Sequence, residues 1–142
     1  TRGIFFMKKK WVIMSLSFVL SSLPAYTVYA HEGHEHEEHQ HKAPHGGMVV
    51  TVQNYHYELV KKQGYILIYL MDKQMKPVAL KGITGQAIVQ KGKDKKTVAL
   101  QIDTKIQAFK GTIDLLATKE FVAVVSLKIG GKTYSGTFRS GQ

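Results

Sequence analysis

The chain contains no cysteine among its 142 residues. This absence excludes disulfide bonds, lipid attachment through a cysteine, thiolate ligands and a cysteine nucleophile. Only His, Met, Asp and Glu side chains remain as metal ligands. Long apolar segments are also lacking, since the apolar stretch of residues 11–23 has thirteen residues and is followed by Pro24. A membrane-spanning helix needs about 20, so this stretch is too short to be a typical anchor.

The first 30 residues have the pattern of an export signal. Met7 is the expected start, three lysines follow at residues 8–10, and the apolar stretch leads to the small residue Ala30. We predict that residues 1–30 comprise upstream residues and a cleavable signal peptide, and that cleavage exposes His31. A retained anchor is the less favoured alternative. The expected location is the periplasm, with no stable membrane span after cleavage.

Charge divides the remaining chain into an acidic arm and a basic body. Residues 31–45 carry a net charge of −3, and residues 46–142 carry +9. An exported basic domain meets anionic envelope surfaces or acidic partners, and no aromatic-basic motif for nucleic acid is present. We therefore expect no nucleic-acid binding. The partner indicated is an envelope component with an acidic surface.

Residues 46–142 are long enough for one domain, and their residue pattern is that of an all-β protein. Short runs rich in Val, Ile, Thr, Tyr and Phe alternate with Gly, Asp and Lys clusters at about ten-residue spacing. This pattern predicts an antiparallel β-sandwich, immunoglobulin-like or a partly open barrel, of seven or eight strands. The predicted strands are residues 48–52, 55–61, 65–71, 86–90, 97–102, 105–109, 121–129 and 132–139.

The turns between these strands carry their own signals. Gly130 and Gly131 predict a tight hairpin, because both tolerate positive φ. Residues 92–96 are the predicted loop of another hairpin. Residues 105–109 are expected at a sheet edge, and residues 112–118 suit either a strand or a short helical turn.

The arm of residues 31–45 contains no large apolar side chain, so it cannot bury itself and is expected to be disordered without a ligand. Neutral imidazole is a common ligand of zinc, copper, nickel and cobalt, and the interleaved Glu residues add oxygen donors. The alternative is a solvated linker that binds nothing. We predict a metal-binding arm that holds more than one ion with little selectivity, through His31, His34, His36, His39, His41 and His45.

A second candidate site involves the start of the domain. His56 and Glu58 lie two residues apart in a predicted strand, so they share one face. If Gln53 and Asn54 form a two-residue turn, Thr51 pairs with His56, and a straight strand would put His45 about 20 Å from it. That distance disfavours a site shared by His45, His56 and Glu58, and the simpler interpretation of His56 is a surface strand residue.

The methionines offer soft donors for Cu(I) but do not form a cluster. Met71 ends an apolar strand and is expected in the core, whereas Met75 lies in a turn and Met48 opens the first strand. Catalytic motifs are lacking: no G-x-S-x-G sequence surrounds a serine, and no phosphate loop or dinucleotide fingerprint occurs. We expect a protein that is not an enzyme.

The residues from His45 onwards resemble a known family. The motifs are Pro-His-Gly-Gly at residues 44–47, His-Tyr-Glu-Leu-Val at 56–60, Tyr-Leu-Met-Asp at 69–72 and Lys-Pro-Val at 76–78. Together they resemble small periplasmic His-rich domains that occur alone or at the amino terminus of heavy-metal efflux adaptor (membrane fusion) proteins, over most of residues 41–139. The resemblance implies a β-sandwich-like domain for copper, zinc, cobalt or nickel, with His45, His56 and Glu58 as the residues to test. The chain lacks the adaptors' helical hairpin and barrel.

The sequence thus favours a periplasmic heavy-metal-binding protein, a carrier, buffer or resistance accessory that could deliver ions to an efflux system. The bound ion would be a divalent or copper-type transition metal. The alternative is an immunoglobulin-like interaction or assembly module of the cell envelope, in which metal binding is incidental.

Overall fold

A computed structural model of the chain describes residues 42–141. The predicted signal peptide of residues 1–30 and the arm histidines up to His41 lie outside these residues. The described part is all-β and antiparallel, as the sequence predicted. Its eight strands are β1 (Met48–Val52), β2 (Tyr55–Lys62), β3 (Tyr65–Asp72), β4 (Thr84–Lys91), β5 (Asp94–Asp103), β6 (Ala108–Gly111), β7 (Val122–Ile129) and β8 (Lys132–Arg139).

The strands form one nearly closed, barrel-like sheet in the order β1-β2-β3-β6-β5-β4-β7-β8. Each ladder between neighbours is antiparallel, and β1 lies against β8 without joining it in a ladder. Side-chain packing closes this junction. A Cβ atom on Gly136 of β8 would lie 2.7 Å from the Val52 side chain and 3.2 Å from the Tyr57 ring, so only glycine lets the two edges approach so closely.

Period-two alternation in the strands separates two faces. The inner face of β2 and β3 contributes Tyr57, Leu59, Ile66 and Ile68 to the core, and all four are almost fully buried. The main core also includes large side chains from the later strands and from the segment after β6, namely Phe109, Leu115, Leu127 and Phe138. The outer face of β2 and β3 carries the candidate site.

The predicted turns at Gln53–Asn54 and Gly130–Gly131 agree with the structure. The register of β1 and β2 pairs Thr51 with His56 across a two-residue turn. Gly130 and Gly131 have φ values of 56° and 82°, and they connect β7 to β8 as expected.

Two local expectations are wrong, and the structure resolves one alternative that the sequence left open. The predicted edge strand at residues 105–109 is instead β6 (Ala108–Gly111), which lies between β3 and β5, because Phe109 is a core residue. The loop at residues 92–96 shrinks to Gly92 and Lys93, since Lys91 already pairs with Asp94. Residues 112–118 form neither strand nor helix and run as irregular chain with a turn.

No helix capable of crossing a membrane occurs among residues 42–141.

Candidate metal centre

The outer face of β2 and β3 presents polar side chains in rows across the sheet. One row places Thr51, His56 and Met71 side by side, and the next places Val49, Glu58 and Tyr69 side by side. His56 and Glu58 therefore share a face, as their spacing predicted. This face is where the described residues bring candidate ligands together.

Glu58 is a fully buried carboxylate whose acceptor sites are used by neighbouring donors. Its Oε1 accepts hydrogen bonds from the backbone N–H groups of His45, at 2.8 Å, and Gly47, at 2.9 Å. Its Oε2 lies 2.7 Å from Nδ1 of the His45 ring. A buried carboxylate without such partners would be strongly destabilising, so these three contacts explain why a charged residue type is tolerated here.

The chain reaches Glu58 because it folds back before β1. Gly46 has a φ of 73°, and its N–H donates to the carbonyl of Ala43 at 3.2 Å, which closes a turn. A Cβ on Gly47 would lie 2.3 Å from the Leu59 carbonyl oxygen, so glycine is required for this close approach. The expectation that His45 continues a straight strand and lies far from this site is wrong, because the strand begins only at Met48.

Tyr69 determines the plane of the His45 ring. The two rings stack with centroids 3.6 Å apart and an interplanar angle of 5°. Burial, followed by the neighbouring Glu58 carboxylate, raises the pKa of the Tyr69 phenol above its usual value of 10.0. The Tyr69 ring is thus a packing surface for the imidazole.

His56 is buried, with 5% of its surface exposed, so its interpretation as a surface strand residue is wrong. Its Nδ1 lies 3.2 Å from the Thr51 hydroxyl, and its cross-strand neighbour on the other side is Met71. Met71 is 2% exposed, which confirms its expected place in the interior. Met48 is partly buried against the core, and Met75 lies in the β3 turn with a φ of 62°.

Only some of the candidate ligand residues within residues 42–141 contact one another. His45 and Glu58 form a direct pair, and His56 lies two positions from Glu58 on the same face. Within residues 42–141, no three His, Asp or Glu side chains come close enough to hold a metal ion by themselves. The remaining candidates lie outside the described residues: His31, His34, His36, His39 and His41.

Sequence reasoning did not identify Tyr69 and Gly47 as parts of the site. Tyr69 lies opposite Glu58 in the register of β2 and β3, a pairing that the sequence of β3 alone does not specify. Gly47 is part of the Pro-His-Gly-Gly motif at residues 44–47. Its use as a donor to Glu58 depends on the turn at Gly46, which has no signal beyond the two adjacent glycines.

The chain was compared with protein-family models, curated proteins and solved structures, and none of them matched.

Proposed function

We propose that this protein binds transition-metal ions in the periplasm, with His45 as the positioned ligand and the upstream histidines as additional ligands. The ion is cargo: the protein collects it and passes it to an efflux component. Zinc, copper, nickel and cobalt are the candidates, because imidazole suits all four.

The hydrogen bond between His45 Nδ1 and Glu58 carries this proposal. Metal-binding histidines usually donate their second ring N–H to a carboxylate or carbonyl, which selects the tautomer, orients the ring and increases its basicity. An ionised carboxylate only accepts hydrogen bonds, so a neutral imidazole that pairs with it holds its proton on Nδ1 and leaves the lone pair of Nε2 for a metal ion. No hydrogen bond to Nε2 is present among the described residues, and the His45 side chain is 40% exposed.

The stacked Tyr69 ring and the backbone bonds to Glu58 hold this imidazole in one orientation before any ion arrives. A fixed ligand reduces the ordering entropy that metal binding must overcome. One imidazole nitrogen is not a complete site, since structural zinc takes four ligands. The other ligands must therefore come from additional groups.

The arm can supply them by its length alone. His41 precedes His45 by four positions, a span of at most about 14 Å in an extended chain. His39 and His36 lie two and five residues further upstream. These spacings allow the upstream histidines to reach an ion that is already bound to His45.

The test is a calorimetric titration of four versions of the purified protein with Zn(II), Ni(II) and Cu(II), and with Cu(I) under reducing conditions. The versions are wild type, His45→Gln, a variant with the five arm histidines changed to Gln, and the combination. We expect the His45 change to remove the tightest site and the arm variant to lower the stoichiometry.

Tyrosine emission gives an independent readout. Bound Cu(II) quenches nearby fluorophores, so wild type should lose more emission than a Tyr69→Phe variant that keeps the stack. The single tryptophan, Trp11, lies in the predicted signal peptide and is absent from a processed protein. Unchanged binding in His45→Gln would refute the role of His45, and no binding by wild type would refute the function.

A further inference from the structure

The sheet has an interruption on one side of β5 (Asp94–Asp103). Only Gln101, Ile102 and Asp103 pair with β6, which is four residues long. The first part of β5 pairs with β4 alone. After Gly111 the chain leaves the sheet and buries Ile113 and Leu115 in the core, so it does not continue along β5.

The backbone direction of β5 follows from its hairpin with β4. Lys91 and Asp94 flank a two-residue turn, and such flanking residues form a hydrogen-bonded pair. Backbone groups alternate between the two edges of a strand, so Thr97 and Ala99 direct their N–H and C=O groups away from β4. Within the described chain, the backbone groups of Thr97 and Ala99 form no hydrogen bond with the segment that follows β6.

A cleft of about 500 Å³ lies along this open edge. Its lining contains two ammonium groups, two hydroxyls and an amide, but no carboxylate, from Lys96, Lys110, Thr97, Thr112 and Gln101. Lys110 is held in place, because its Nζ lies 4.2 Å from the centroid of the Tyr65 ring. The cleft is therefore electropositive, and it is bordered by the outward-directed backbone N–H and C=O groups of Thr97 and Ala99.

We propose that this edge binds an extended acidic peptide of a partner protein, which adds a strand to β5. Strand addition satisfies the N–H and C=O groups of Thr97 and Ala99 in alternation. Carboxylates on the two faces of the added strand meet Lys110, on the face of Thr97 and Ala99, and Lys96, on the other face. The proposal stands independently of the metal site, which lies on β2 and β3.

The open edge of β5 presents both N–H donors and C=O acceptors, and this combination favours a peptide over other anions. Sulfate has no donor for the two carbonyl acceptors, and the hydroxyl groups of phosphate are not spaced along a strand. A peptide offers donors and acceptors in the required repeat. A second copy of this strand would bring Lys95 and Lys96 against the same lysines, and like charges in register repel. Charged edge residues commonly prevent such pairing between identical chains.

The probe is a fluorescein-labelled octapeptide of the repeat Val-Val-Glu-Glu, which puts carboxylates on both faces of the added strand. It is titrated into the purified protein at low salt and followed by fluorescence anisotropy. Two matched peptides carry Lys in place of Glu, or N-methyl groups on alternate amides. We expect both changes to weaken binding at least tenfold. Amide hydrogen exchange should show new protection at Thr97 and Ala99.

Two protein variants locate the site. Ala99→Pro removes one donor at the open edge, where proline is tolerated, and Lys96→Glu reverses one charge; both should weaken binding at least tenfold. Lys128→Glu on β7 is the control for net charge and should change it less than twofold. If Ala99→Pro fails to fold, the N-methylated peptide tests the same bond on the wild-type protein.

Three results would overturn the proposal. Equal binding of the Glu and Lys peptides would remove the electrostatic argument, and equal binding of the N-methylated peptide would reduce the contact to surface charge. Protection of Thr97 and Ala99 without peptide, together with a dimer in analytical ultracentrifugation, would assign the edge to a second copy.

Discussion

The importance of Glu58 comes from the groups that donate hydrogen bonds to its carboxylate. Two backbone N–H groups and one imidazole nitrogen surround a side chain with no exposed surface. Glutamine has nearly the same shape but replaces one acceptor oxygen by an N–H donor. In a neutral imidazole, an acceptor at this position selects the tautomer with its proton on Nδ1, and a donor selects the other tautomer.

We expect Glu58→Gln to weaken metal binding by about 10-fold to 100-fold. The Gln oxygen can keep the two backbone bonds, while its NH₂ group faces His45 Nδ1, makes that nitrogen an acceptor and moves the ring proton to Nε2. Calorimetric titration measures the affinity, and nitrogen chemical shifts of His45 report the tautomer.

Asp94→Asn is the control, because it neutralises an exposed carboxylate of the β4–β5 hairpin and should leave affinity unchanged. Equal metal affinity of Glu58→Gln and wild type would show that Glu58 does not set the ligand state of His45.

At the scale of elements, strand positions followed closely from sequence. Short runs rich in β-branched and aromatic residues, bounded by turn residues, located seven of the eight strands to within a few residues. The prediction failed at β6, whose four residues are too few to show a period. It also could not anticipate the turn at residues 43–47, because turn geometry depends on contacts with β2 that lie eleven to thirteen residues away.

The two adjacent glycines of that turn should respond differently to alanine. Gly47→Ala places a Cβ against the Leu59 carbonyl, so the segment must shift, Glu58 loses a donor, and we expect a loss of about 1–3 kcal/mol in stability and weaker metal binding. Gly46→Ala meets no atom within 4 Å and strains only its positive φ; its cost should be about 1 kcal/mol.

Chemical denaturation measures the stability of both variants, and metal titration measures the site. Similar stability and metal affinity for the two variants would show that close packing at residue 47 does not position the site.

At the scale of the whole molecule, Tyr57 links the two ends of the sheet. Its hydroxyl donates to the carbonyl of Tyr134 on β8 at 3.1 Å, where β1 and β8 lie together without a ladder. Burial first, and then the neighbouring Tyr55 and Tyr134, raise the pKa of Tyr57 well above its usual value. The folded state therefore retains this proton at pH values where the unfolded chain loses it.

The stability contributed by this proton has a definite pH dependence. It is fully present below the pKa of an unfolded tyrosine, about 10, and falls as the pH rises above that value, because the unfolded chain then binds fewer protons. We expect Tyr57→Phe to cost about 1 kcal/mol at pH 7 through its lost hydrogen bond. Its stability should then decline less than that of wild type between pH 9 and pH 11.

Guanidinium denaturation at several pH values measures both effects. If the stability of wild type and of Tyr57→Phe declined equally with rising pH, this phenol would not couple barrel closure to pH.

The sequence by itself determined the all-β class, most strand positions, the shared face of His56 and Glu58, and the separation of an acidic His-rich arm from a basic body. These features are local, because they depend on the period of a strand and on composition. Tertiary structure decided that His45 meets Glu58, that Tyr69 stacks on His45, that His56 is buried, and that β5 keeps an open edge. Each of these depends on contacts between strands, and a single strand's sequence does not specify which residues of another strand it will meet.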